Sequence, residues 1–177
     1  FIAPDETTIR YLANRAYAPS GAAFEQAAEH WRTLCSDDAA SFDAELAVDC
    51  GELTTMVTWG TRPEHAIAID HSIPDPALEP DPKIRDGMEQ ALRYMDLVPG
   101  TEARQIKIDA AFIGSCTNSR LSDLRAAAKF LEGKRVSPGV AAVCVPGSSR
   151  VKSAAEAEGL DKIFEKAGFA WRESGCS

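Results

Sequence analysis

Ala111-Phe112-Ile113-Gly114-Ser115-Cys116-Thr117-Asn118-Ser119-Arg120 changes abruptly from apolar to small and polar, and a helical pattern starts at Leu121. This reads as strand, tight loop and helix, with Cys116 at the carboxyl end of the strand. In open α/β sheets that end is where ligands bind. Gly114 lets the backbone turn sharply. Ser115, Thr117, Asn118 and Ser119 can donate hydrogen bonds to a thiolate or an anion. A helix N-terminus close by favours negative charge. The loop therefore suits a cysteine that works as a thiolate, either as nucleophile or as metal ligand.

Downstream the pattern repeats. Val140 to Val145 reads as a buried strand, and Pro146-Gly-Ser-Ser149 as a second polar turn at its end. A helix from about Arg150 stops at Gly159, a shorter one stops at Gly168, and Phe169 to Trp171 reads as a last strand. Just upstream, Ile106 to Ile108 and Ala110 to Ile113 are apolar and read as one continuous strand. The helix from Leu121 ends with Gly133 as its C′ residue. This β-α-β-α-α-β order predicts an α/β fold: a three-layer α/β/α domain with a largely parallel sheet.

The stretch Ile73-Pro-Asp-Pro-Ala-Leu-Glu-Pro-Asp-Pro82 holds Pro74, Pro76, Pro80 and Pro82 and reads as a rigid, extended linker. Asp81 then caps a helix with Pro82 at its first position, running to about Met95. Val98-Pro-Gly-Thr101 turns the chain. Before the linker the regularity is lower. Asp5 caps a helix to about Asn14, and a second helix spans about Ala22 to Leu34 with Phe24, Ala27, Ala28, Trp31 and Leu34 on one stripe. Phe42, Ala44, Leu46 and Val48 alternate as a strand would, and Met56 to Trp59 reads as a short extended segment. The expected organisation is residues 1–72 as the end of a preceding α/β domain, 73–82 as linker, and 83–177 as the domain that carries Cys116.

Composition narrows the function classes. The 177 residues are 45% hydrophobic and carry a formal net charge of -8, with acidic and basic residues mixed along the chain. No basic patch invites nucleic acid. No run approaches the roughly 20 apolar residues of a membrane helix. The cysteines at 35, 50, 116, 144 and 176 are odd in number and scattered, which fits a reducing, cytoplasmic setting better than a disulfide framework. Cys35, on a helical pattern, and Cys144, inside Val140 to Val145, read as core packing, and Cys50, beside Gly51, as a loop thiol. Spacing alone does not join Cys116 to Cys176.

Other candidates have plain readings beside the chemical ones. Pro146-Gly-Ser-Ser149 is either an anion-binding turn or an ordinary N-cap loop, and it lacks the lysine and spacing of a P-loop. Arg62 in Trp59-Gly-Thr-Arg-Pro-Glu64 could hold a carboxylate, or lie on the surface. A nucleophilic Cys116 would need a histidine base, and His30, His65 and His71 carry no recognisable partner motif.

Gly114-Ser-Cys-Thr-Asn-Ser119 resembles the cluster-binding loop of the aconitase superfamily. Ile2-Ala-Pro-Asp-Glu-Thr-Thr8, Val57-Thr-Trp-Gly-Thr61, Val145-Pro-Gly-Ser148 and Gly175-Cys-Ser177 fall in the order seen in its isopropylmalate-isomerising branch of large subunits. The resemblance covers essentially the whole chain. It implies a hydro-lyase of leucine biosynthesis that isomerises a 2-hydroxy acid by dehydration and rehydration. Sister enzymes acting on homocitrate, citramalate or citrate share the chemistry, and a thiol-based hydrolase is a distant alternative. The cofactor implied is a [4Fe-4S] cluster held by three cysteines, with one iron left free to bind substrate. The first ligand matches Cys116 and the second matches Cys176. The third is expected beyond Ser177, so an internal segment without cluster or activity of its own is expected. The resemblance also implies a separate small subunit as partner, a small hydroxy-dicarboxylate as substrate, and no catalytic acid or base within this stretch.

Overall fold

A computed structural model describes residues 2–175. The chain divides into two compact units, Phe1–Leu53 and Thr54–Ser177.

In the first unit, α1 (Glu6–Leu12) starts where the Asp5 carboxylate accepts the Thr8 amide at 2.7 Å. This is the capping bond that the sequence predicts. Helix α2 (Ala22–Arg32) carries the expected stripe, and Phe24 and Trp31 meet edge to face at 5.8 Å. The alternating segment after it forms no strand. Phe42, Leu46 and Val48 are exposed, and a 3-10 turn at Cys50–Glu52 follows. Strand alternation has no effect without a neighbour to complete its ladder. Cys35 also departs from expectation: α2 ends before it, and the thiol is exposed.

The second unit opens with an antiparallel pair, β1 (Met56–Thr58) and β2 (Ala66–Ala68). Its local core gathers Trp59, Ile73, Ala91 and Leu92. Helix α3 (Pro82–Met95) supplies the last two, capped by Asp81 as expected. The proline-rich segment is stitched into this core. Ile73 is buried, its amide donates to Thr101 O at 2.8 Å, and its carbonyl accepts from Gly100 at 2.8 Å. The division between the two compact units falls at Leu53/Thr54. Prolines stiffened the segment, but the apolar Ile73 at its head found a core to enter.

The larger sheet is parallel, in the order β3 (Ala110–Gly114), β4 (Ala141–Val145), β5 (Phe169–Trp171). A strand order that follows chain order, with right-handed crossovers, places both connections on one face. Helices α4 (Leu121–Leu131), α5 (Ser149–Ala157) and α6 (Leu160–Ala167) contact one another and bury Ala142, Cys144 and Phe169 of the strands with Leu124, Ala128, Ala155 and Phe164. Each large apolar side chain buried here contributes roughly 1.5–3 kcal/mol. The α/β class with a parallel sheet stands as expected. The buried cluster of this sheet joins it to one helical layer and does not include Phe112, which is half exposed on the other face.

Candidate functional site

The site is built at the carboxyl edge of the parallel sheet. Strand β3 ends at Gly114, whose backbone lies against the Phe112 ring and Val145. Ser115 then takes a positive φ of 76°, a conformation that residues other than glycine seldom adopt. That reversal lifts Cys116, Thr117 and Asn118 into the open, and Ser119 returns the chain to full burial before α4 begins. At the helix start the Arg120 amide donates to the Asp123 carboxylate at 3.0 Å.

Two cysteines, one in the loop after β3 and one on the adjacent strand β4, show what the loop achieves. Cys144 on β4 is fully buried, and desolvation pushes its thiol up to about 12. It stays protonated and serves as packing, as the sequence predicts. Cys116 is exposed and unbonded to any other described cysteine, with the Thr117 hydroxyl 3.8 Å from its sulfur.

The turn after β4 lies directly beside this loop. The Gly147 amide donates to Ser119 O at 3.0 Å. Ser148 caps α5, its hydroxyl accepting the Val151 amide at 3.2 Å. With the Gly147 amide committed to Ser119, the N-cap reading of Pro146–Ser149 fits better than an anion-binding one.

Strand β5 runs parallel to β4, so the chain beyond Trp171 leaves at the same edge. The Arg172 amide donates to Cys144 O at 3.0 Å, and Glu173 lies 3.3 Å from Lys152. Lys152 also pairs with Glu156 at 2.6 Å, and that hydrogen bond, with a second from the Trp171 indole at 3.1 Å, holds the Glu156 carboxyl below its ordinary range. Cys176, the second expected ligand, lies outside the described residues. Among those described, no three His, Cys, Asp or Glu side chains gather closely enough to hold a metal ion.

The residues present fit one corner of a thiolate-held cluster. Cys116 offers an accessible sulfur, and in the same loop the Ser119 hydroxyl is buried without a partner. An unpaired buried donor of that kind is costly unless another group takes it up.

The histidines sit elsewhere. His65 is buried and stacks on Trp59 at 4.5 Å, with its Nδ1 unpaired, and a side chain at Gly60 would strike its ring. In the sequence the three histidines carry no partner motif, and nothing there announces this stack. The missed feature was the connection from Trp59 to His65 between β1 and β2, which the Trp59 amide closes on His65 O at 2.8 Å. Arg62 is exposed, 3.7 Å from Glu64. No described helix is long and apolar enough to cross a membrane.

The chain is 62% identical over 176 residues to the 3-isopropylmalate dehydratase large subunit of Cupriavidus necator, covering 99% of this chain and 66% of that protein. It is 52% identical over 176 residues to the 3-isopropylmalate dehydratase large subunit of Roseiflexus castenholzii, covering 99% of this chain and 37% of that protein. The chain thus spans less than two thirds of the length of either curated relative. The model of the aconitase family (aconitate hydratase) matches residues 1–177 without interruption, and the chain belongs to that family.

Proposed function

We propose that this chain is part of the large subunit of a hydro-lyase that interconverts 2-isopropylmalate and 3-isopropylmalate in leucine biosynthesis. The observation that carries the reading is similarity along 99% of the chain to two proteins of that name. Cys116 and Cys176 are proposed as two of three thiolates that hold a [4Fe-4S] cluster. When bound, the cluster would supply a Lewis-acidic iron for a hydroxyl and a carboxylate of the substrate. The protein's part in this stretch is positional. Ser115 turns the loop so that Cys116 faces outward, and the pairing of β5 with β4 brings the chain after Trp171 out at the edge of the sheet that carries this loop. The relatives' name, large subunit, supports a small-subunit partner. The free thiols of Cys35, Cys50, Cys116 and Cys144 support a reducing, cytoplasmic location.

The family description, aconitate hydratase, keeps citrate as the second substrate reading. Turnover of isopropylmalate, homocitrate, citramalate and citrate by the complete polypeptide with its small subunit, after anaerobic cluster assembly, tests the proposal. Isopropylmalate is expected to turn over fastest, and only when the small subunit is present. Faster turnover of another acid would reassign the substrate. Cys116→Ser is expected to abolish stoichiometric iron and acid-labile sulfide, and Cys35→Ser to leave both intact. Full iron in Cys116→Ser would remove Cys116 from the ligand set.

A further inference from the structure

We propose that the Pro146–Gly147 turn is a clamp that sets the shape of the Cys116 loop, with Gly147 as a positioning residue. The purpose of the clamp rests on the reading of Cys116 as a ligand, but its geometry does not.

Gly147 is not required by its own dihedral angles, since it is absent from the glycines at positive φ. It is required by space. A Cβ at this position would lie 2.8 Å from Ser119 O and 3.3 Å from Ser115 O. Those two carbonyls bracket Cys116, one residue before it and three after. The single hydrogen bond between the turn and the loop runs from the Gly147 amide to Ser119 O. The turn is itself anchored on both sides. Pro146 is fully buried and its ring fixes φ, and Ser148 is tied into the first turn of α5. A rigid abutment thus meets a loop that contains an unfavourable conformation at Ser115. Such conformations cost of order 1–3 kcal/mol and persist only where the surroundings enforce them. Gly147 lies against this loop from outside it, next to the carbonyls on both sides of Cys116.

The test reads thiol accessibility in the metal-free protein, with alkylation followed cysteine by cysteine by mass spectrometry. Cys35 and Cys50 in the first unit serve as references, and buried Cys144 reports any general loosening of the sheet. Gly147→Ala is expected to change the Cys116 rate roughly three- to tenfold relative to the references, the scale of one lost hydrogen bond. Cys144 should stay protected. Gly139→Ala is the control: it places a side chain at a φ of 90° with nothing within 4 Å, so it adds strain without touching the loop. It should leave Cys116 unchanged. An unaltered Cys116 rate in Gly147→Ala would overturn the clamp, as would an equal change in Gly139→Ala. If Cys144 opens together with Cys116, amide exchange in the unsubstituted protein decides. A Gly147 amide protected as well as the β4 amides upholds the clamp, and exchange at the rate of an open turn ends it. Neither readout involves iron, so a failed ligand assignment leaves both standing.

Discussion

Helices α2 and α6 differ in what they find to lean on. Helix α2 has 11 residues and buries Ala28 alone. Helix α6 has 8 and buries Leu160, Asp161, Phe164 and Ala167. Both carry an apolar stripe. Helix α6 meets a sheet whose strands present Ala142, Cys144 and Phe169, and Phe164 packs at right angles on Phe169 at 5.6 Å. The stripe of α2 packs largely on itself through Phe24 and Trp31. An amphipathic pattern specifies a helix, but only an opposing surface turns it into stability. By this measure the sheet unit is the firm part of the chain, and its carboxyl edge is where Cys116 sits.

Phe164→Ala should break the contrast most severely. Removing a fully buried phenylalanine costs about 3–5 kcal/mol. We expect the denaturant midpoint of the sheet unit to fall sharply, followed by near-ultraviolet circular dichroism. A loss of under about 1 kcal/mol would mean that the core repacks easily. Ile9→Ala removes the buried residue of α1 and is expected to cost near the lower end of the roughly 2–5 kcal/mol range for such truncations. The transition of the sheet unit should not move. A matching shift in both units would show that they are one cooperative body.

The smallest effect concerns acid. The Arg125 guanidinium, 2.6 Å away, holds the Glu158 carboxyl below its ordinary value of 4.5 and ties the end of α5 to α4. A depressed carboxyl stabilises the fold above its unfolded pKa and loses that contribution as pH falls through the folded one. Because both side chains are partly exposed, the contribution is slight. Glu158→Gln should leave the neutral midpoint nearly unchanged and flatten its decline below pH 4.5. An unaltered acid slope would show that the pair contributes nothing.

The legible parts of this chain are those where local chemistry and distant packing agree. Asp81 and Pro82 announced α3, and the helix runs from Pro82 to Met95. Gly133, Gly159 and Gly168 were read as stops after helical patterns, and each takes a positive φ there. The run to Gly114 and the run to Val145 became neighbouring strands because each could fill the other's ladder. The strand expected at Phe42–Val48 did not form, since alternation states a preference for one face and not the existence of a partner. Ile106–Ile108 did not extend β3, because a 3-10 turn at Ala103–Gln105 precedes it and β3 begins at Ala110. At the site, the sequence marked Cys116 and the small residues around it. It could not show that Gly147, far along the chain, closes on Ser119, because that contact depends on strand register.

The sheet's order also fixes a sequence of events in time. Each strand pairs with the one formed just before it, across one helix between β3 and β4 and two between β4 and β5. No strand waits for a neighbour made after its successor, so the sheet can grow strand by strand from β3 onward, as it would while emerging from a ribosome. The Cys116 loop is made early, yet the turn that abuts it arrives only once β4 has docked. Newly made chains therefore pass through a stage in which Cys116 is present but not yet held, and any group that depends on its final position must join after that stage has ended.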